Sequence, residues 1–355
     1  MPKIALIPGD GIGPEVVAEG AKVLRAVAEV EGLPLELEAF DFGAERYLRD
    51  GTTLPDEALA AFRDDFDAVL LGALGDPRIP DMRHGREILL RMRFELDLYI
   101  NLRPVQLLDA RYCPLKDKGP SDIDLVVFRE NTEGVYVGAG GQFKRGTLDE
   151  VATQEDINTR KGVERIIRAA FDYAQRHGRR RVCMSDKSNA MRHAGDLWQR
   201  VFKLVAADYP EIEASHLFVD VMAMELVRAP ERFDVVVTNN LFGDILTDLG
   251  AQICGGIGLA ASANLHPGQA ALFEPVHGSA PDIAGQGVAN PIATVLSVQL
   301  LLEHLGHRQG AARVDAAVRR ALAEGQVTRE LGGALGTAAV GDFLAAAVRA
   351  PLPSA

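Results

Sequence analysis

The sequence predicts an α/β protein built on substantially parallel sheets, and three observations predict it. Strand-like and helix-like patterns alternate almost from end to end, the strands read as short apolar runs of the kind buried on both faces, and glycine or proline turns mark many of the junctions. Residues 3–7 form a short apolar strand closed by the turn GDGIG. From Pro14 to about Val30 the apolar residues recur at helical spacing, with the proline in the first turn, where its missing N–H costs nothing. Residues 35–40 alternate as a strand, and 67–71 make a buried strand ending in Gly72. Residues 123–128, 181–184 and 235–237 read as further central strands. Helical periods cover 162–176, 196–207, 291–305, 311–323 and 338–348. Residues 137–156 are glycine-rich and then polar, without a core period, which suits either a disordered loop or a protruding arm. The final PLPSA reads as a frayed tail. No internal repeat or low-complexity segment stands out.

At 355 residues the chain is long for one compact domain and typical of two. A hydrophobic fraction of 47% with 25% charged residues describes a soluble globular protein with a sizeable core. The net charge of −12 argues against nucleic acid or an anionic membrane as partner, since both need a basic surface. Cys113, Cys183 and Cys254 have no metal-ligand spacing and are odd in number, so they read as small core residues of a reducing cytoplasm. MPKIALIPGDGIGPE enters a strand directly, with no leader-like apolar segment, and no run reaches the length of a membrane span. The expectation is a cytoplasmic protein.

The segment FDVVVTNNLFGDILTDLG, residues 233–250, carries the strongest chemical signal. A buried strand runs into a helix on which Asp244 and Asp248 stand four residues apart, so both carboxylates project from one side. No lysine or arginine within that helix neutralises them, which suggests an oxygen-ligand site for Mg2+ or Mn2+ rather than a solvated acidic face. Arg93 in LLRMRFELDLYINLR shares a helical face with Leu89 and Leu90, Arg103 follows in NLRP, and Arg129 closes the strand IDLVVFRE. Guanidiniums converging from separate elements suit carboxylate recognition, although each alone is as well read as a surface ion pair. Tyr136 in RENTEGVY can donate a proton or simply pack as a ring. Lys187 in MSDKSN follows a strand, and a lysine held beside a divalent cation can serve as a base. Asp220 in FVDVMAMEL begins a helix, as an N-cap or as a ligand. In EPVHGSAPDIAGQGVAN, glycines 278, 285 and 287 with Ser279 and Ala280 permit close backbone approach to a phosphate group. Asp282 suits a ribose diol and repels a 2′-phosphate, and the segment lacks basic residues, so it favours NAD over NADP. Neither this segment nor GDGIGPE has Rossmann or Walker spacing.

In their order and spacing IPGDGIGPE, NLRP, RENTEG, DKSN, NNLFGDILTDL and EPVHGSAPDIAG resemble the β-decarboxylating dehydrogenases, a family acting on isocitrate, isopropylmalate, homoisocitrate and tartrate or D-malate. The resemblance covers essentially the whole chain. It is nearest to the isopropylmalate-using branch, notably in ILLRMRFELDLYINLRP, GGIGLAASANL and GSAPDIAGQGVANP. It implies the isocitrate/isopropylmalate dehydrogenase-like fold, not a Rossmann fold, with two discontinuous α/β domains and a cleft between them. The first, cofactor-binding domain would take residues 1–101 and 255–355. The second, for dimerisation, metal and substrate, would take 102–254, including the arm near 137–156.

The resemblance further implies a homodimer with shared active sites. Asp220, Asp244 and Asp248 would be the metal ligands, with Asp220 given to the neighbouring subunit and also touching substrate. Arg93, Arg103 and Arg129 would grip the malate carboxylates of a small dicarboxylic 2-hydroxy acid, and Leu89 and Leu90 would meet its alkyl substituent. Tyr136 and Lys187 would be the catalytic acid and base. Cofactor contacts would come from His277, Gly278, Ser279, Ala280, Pro281, Asp282, Ile283, Ala284, Gly285 and Asn290, with Gly72, Ala73 and Leu74 and the turn 10–13 near the cofactor cleft. Arg86 and Glu87 stand where many isopropylmalate enzymes have Glu and small residues, which leaves D-malate, tartrate or homoisocitrate open as substrates. A non-catalytic regulatory subunit is the reading from another class; it would be expected to have lost metal or base residues, and all five are present.

Overall fold

The computed structural model describes residues 2–351, so most of the expected C-terminal tail lies outside the described residues. The strands, in chain order, are β1 Lys3–Gly9, β2 Glu36–Ala39, β3 Ala68–Ala73, β4 Ile100–Gln106, β5 Asp124–Glu130, β6 Gly140–Phe143, β7 Val151–Gln154, β8 Arg181–Asp186, β9 Glu213–Phe218, β10 Val235–Thr238, β11 Ala261–Leu265 and β12 Ala271–Pro275. The chain divides into two compact units. One holds the residues up to Leu98, then Leu107–Pro120, then those from Ala251 onward; the other holds Tyr99–Gln106 and Ser121–Gly250. Residues 107–120 thus fall in the first unit, where the sequence expectation had assigned them to the second.

In the first unit the strand order is β2-β1-β3-β12-β11. All pairs are parallel except β11 with β12. The strand β3, AVLLGA, is buried at every position, as a parallel strand covered on both faces requires. The helix Gly13–Glu31 starts with Pro14 in its first turn and ends at Gly32 in the left-handed region, and it packs against Ile292–His304, Arg308–Ala323 and Thr337–Arg349. The helix Ile292–His304 is apolar nearly all round because it is enclosed. A second core gathers Phe42, Phe62 and Phe66 with Ile88, Met92, Leu96 and Leu98, which fixes the segment 83–96 to the unit.

That segment departs from the expected single α-helix. Arg86–Leu90 is a π-turn, followed by an α-turn at Arg91–Glu95. The wider turn changes which side chains share a face. Leu89 and Leu90 are half-buried, Leu89 against the core, and Arg93 is buried.

In the second unit the order is β4-β5-β10-β8-β9, parallel except for β4 with β5. The helices Arg160–Arg176 and Arg192–Ala206 pack on each other. Within residues 137–156, β6 and β7 pair as an antiparallel ribbon, the protruding-arm alternative rather than a structureless loop. Every residue of both strands is exposed, which is why no core period was legible.

Candidate active site

The helix Asn240–Ile253 begins directly after β10, so the carboxylates of Asp244 and Asp248 rise from its first turns. Gly243 lies inside this helix. A Cβ there would stand 2.5 Å from Cγ of Arg129, so the missing side chain is the seat for that arginine's stem. Arg129, 1% exposed, donates from Nε to Asn240 Oδ1 at 2.9 Å and from its terminal nitrogen to Asp244 Oδ1. Arg103, on β4, donates to Thr247 Oγ1 at 2.7 Å and lies 3.5 Å from Asp244 and 4.0 Å from Asp248. Tyr136 donates its hydroxyl to Asp244 Oδ2 at 2.8 Å, and its ring lies 5.2 Å from the Arg129 guanidinium carbon.

The expectation that only a cation could relieve the two aspartates is therefore corrected. The neutralising charges come from strands rather than from the helix itself. The relief is incomplete: partial desolvation, then the charge of Asp244, hold the Asp248 carboxyl above its ordinary range against the pull of Arg103 and Arg129. Two oxygen donors with residual repulsion fit a hard divalent cation.

Lys187 and Asp220 form a separate pair, Nζ to Oδ1 at 2.8 Å. Asp220 lies in the first turn of the helix Val219–Arg228, whose N-cap is Phe218, so it is not the N-cap. The hydrogen bond from Lys187 holds its carboxyl below the usual range. Among the described residues no group of three His, Cys, Asp or Glu side chains gathers into a metal-holding cluster. Arg93 belongs to the first unit, where it donates to buried Glu274 at 2.7 Å, and Glu274 also accepts from Asn264 Nδ2 at 2.9 Å. Its Nε finds no partner among the described residues.

The segment following β12 bends round the start of the helix Gly13–Glu31. Ile12 N–H donates to the carbonyl of Ser279 at 2.8 Å, and a Cβ on Gly11 would lie 1.9 Å from that oxygen. Glu15 accepts from the N–H groups of Gly285 at 2.5 Å and Gly287 at 3.0 Å. Ala280 and Ile283 pack on Ile12, Val16 and Ala289, and Ala280 holds a φ of 39°. Asn290 is committed on both sides, to Gly258 O and Ile292 N–H, so it shapes the loop. Pro281 and Asp282 are exposed, Ala284 is half-buried, and the Asp282 carboxylate has no partner among the described residues.

Three observations leave this loop open to a ligand. A Cβ on Gly278 would meet nothing within 4 Å, the Asp282 carboxylate is free, and Nε2 of buried His277 has no partner among the described residues. Nδ1 of His277 lies 3.0 Å from the Gly278 carbonyl, which can only accept. Burial holds the imidazole pKa below its usual value, so Nδ1 carries the proton and Nε2 presents a lone pair. Gly72 and Ala73 serve packing: a Cβ on Gly72 would lie 2.3 Å from Pro8 O, and Ala73 O accepts from Asp10 N–H at 2.7 Å.

Sequence reasoning passed over several residues that this geometry uses. Glu15 and Glu274 lay inside quoted motifs without a role. Asp10 is buried and accepts from Ala44 N–H, Gly75 N–H and His84 Nε2, tying the first turn to the start of the 83–96 segment. Helix-start acidity was the available signal for Glu15; nothing local marked the partners of Asp10.

Known proteins resemble this chain over nearly its whole length. The family profile described as isocitrate/isopropylmalate dehydrogenase matches residues 3–344. A 3-isopropylmalate dehydrogenase of Thermobifida fusca is 52% identical over 345 residues, covering 97% of this chain and 96% of the relative. One of Streptomyces griseus is 52% identical over 349 residues, covering 97% and 98%. The crystal structure of isocitrate dehydrogenase from Methylococcus capsulatus superposes with a TM-score of 0.89 at 38% identity, covering 99% of this chain and all of that one.

Proposed function

The chain belongs to the isocitrate/isopropylmalate dehydrogenase family, and from that premise we propose that it oxidises (2R,3S)-3-isopropylmalate with NAD and releases CO2. The product is 4-methyl-2-oxopentanoate, a step of leucine biosynthesis. The observation that carries the reading is the convergence of Arg103, Arg129 and Tyr136 on Asp244, beside Asp248. Two guanidiniums and two carboxylates leave that group near neutral, so a dicarboxylate and a divalent cation balance each other when they enter together.

Asp244 and Asp248 would hold Mg2+ or Mn2+, and Asp220 of a second copy would complete the set. The loop from His277 to Asn290 would hold NAD. When bound, the cation polarises the 2-oxygen of the substrate and the nicotinamide accepts the hydride. Arg103 and Arg129 hold carboxylate groups and orient the malate skeleton. Lys187 takes the proton of the 2-hydroxyl, and Asp220 beside it stabilises the ammonium that forms. Tyr136, whose proton rests on Asp244, delivers it to C3 of the enol left when CO2 departs. Half-buried Leu90 suits a branched alkyl group, which a charged substituent could not replace without a desolvation cost. The pairing of two chains is supported by exposed Met224 and Val227 on the helix of Asp220 and exposed Ile245 on the helix of Asp244.

NADH absorbance with Mg2+ or Mn2+ tests the reading against 3-isopropylmalate, D-malate, tartrate, homoisocitrate and isocitrate. Arg86 is exposed and without an ion-pair partner among the described residues, so the polar substrates are a real comparison. The expected result is preference for 3-isopropylmalate; preference for any other overturns the substrate, and no turnover with all five overturns the activity. Lys187→Ala should keep NAD binding and lose hydride transfer.

A further inference from the structure

Lys187 sits on a turn whose neighbours on both sides are fixed by one buried carboxylate. Asp186 is 5% exposed at the end of β8. Its Oδ1 accepts from Ser188 N–H at 3.1 Å, Ser188 Oγ at 3.0 Å and His216 Nε2 at 2.8 Å, and its Oδ2 accepts from Gln199 Nε2 at 3.0 Å. The helix Arg192–Ala206 closes on the same turn, since a Cβ on Gly195 would stand 2.3 Å from Cβ of Ser188. His216 lies on β9, in register with Met184 of β8, and four residues further along the chain, just inside the helix that follows β9, stands Asp220. The Asp186–His216 contact is thus a side-chain cross-link between the strand that leads to Lys187 and the strand that leads to Asp220. The side-chain nitrogen of Lys187 and the carboxylate of Asp220, which it flanks, meet at 2.8 Å.

We propose that Asp186 and His216 are a positioning pair that sets Lys187 against Asp220. Neither touches the reacting atoms; both act through the backbone of the turn and of β9. The proposal rests on the role given to Lys187 above. A buried carboxylate with four hydrogen bonds is a rigid support, and a proton acceptor misplaced by about 1 Å can lose two orders of magnitude in rate.

The test compares His216→Leu, which keeps bulk and removes the donor, with His216→Gln, whose amide can donate to the same oxygen. His216→Leu is expected to lower kcat about tenfold or more, leave the KM for NAD unchanged and raise the isotope effect with 2-deuterated substrate, while His216→Gln recovers most of the rate. A merely structural role would lower the melting temperature and leave the isotope effect where it was. The second readout does not need turnover: lysines are 13C-methylated and the Lys187 signal is assigned through Lys187→Arg. That signal should shift in His216→Leu and return in His216→Gln. If His216→Leu does not fold, Ser188→Ala, which removes one hydroxyl from Asp186, carries the same measurements with a smaller shift. Wild-type kcat and an unmoved Lys187 signal in a folded variant overturn the proposal. A shifted signal in a protein that turns over none of the five acids supports the positioning and overturns the activity instead.

Discussion

Gly243 and Glu130 show how single positions set the behaviour of the site. With Cγ of Arg129 2.5 Å from where a Cβ would stand, Gly243→Ala must displace that arginine from Asp244. Overpacking of this kind costs about 1–3 kcal/mol. We expect that loss in urea unfolding, together with a fall in kcat/KM that persists at temperatures where the variant is fully folded. An unchanged kcat/KM there would mean that Arg129 does not grip substrate from its present seat. Glu130, next along β5, is 1% exposed, and burial pushes its carboxyl up to about 7 against the hydrogen bonds from Thr132 and from Glu133 N–H. Between the usual glutamate value and about 7 the folded chain holds a proton that the unfolded chain releases. Stability therefore falls as pH rises through that window, by about 3 kcal/mol in all, and the loss is complete above it. Glu130→Gln should flatten this slope. Equal losses for both proteins between pH 5 and pH 8, read as urea midpoints, would remove Glu130 as the cause.

At the scale of elements, the Asp244/Asp248 pair was legible because helical periodicity alone places residues four apart on one side. Its guanidinium partners were not, because Arg103 and Arg129 arrive on β4 and β5, more than a hundred residues earlier in the chain. The central strands read clearly from their apolar runs, whereas β4, β11 and β12 do not, since Arg103, Asn264 and Glu274 interrupt theirs. The π-turn at Arg86–Leu90 leaves no mark in a pattern that suits an α-helix equally well, so the packing of half-buried Leu89 on the core was not legible. The loop after β12 offers a direct test of how one element shapes another. Glu15 holds the N–H groups of Gly285 and Gly287 from the first turn of the helix Gly13–Glu31. Hydrogen bonds to a charged group contribute about 1.5–3 kcal/mol. Glu15→Gln, which keeps the shape and removes the charge, is expected to raise the KM for NAD about fivefold or more without changing that for the hydroxy acid. Asp282→Lys should shift preference from NAD towards NADP, since it removes the repulsion of a 2′-phosphate. Equal effects on both substrates in the first variant, or an unmoved cofactor ratio in the second, would take the dinucleotide away from this loop.

For the whole molecule, the reaction proposed above draws on two charged groups within the second unit. Lys187 with Asp220 makes one group, and Asp244 with Asp248, Arg103, Arg129 and Tyr136 makes the other. In the isologous dimer proposed above, each group of one copy would meet the opposite group of its partner, twice over, because the same surface would serve both copies. Shared sites of this kind have a consequence that separate sites do not. Lys187→Ala and Asp244→Asn should each abolish turnover alone. When the two variants are unfolded together and refolded, about half of the dimers are mixed, and each mixed dimer holds one site with both intact groups and one with neither. The mixture should therefore recover roughly a quarter of wild-type activity, at unaltered KM for both substrates. Dilution below the dimer dissociation constant should remove that activity along with the wild type's. If each copy instead completed its own site, every site in the mixture would carry one defect and none would recover, so the refolding assay separates the two arrangements without a structure of the complex.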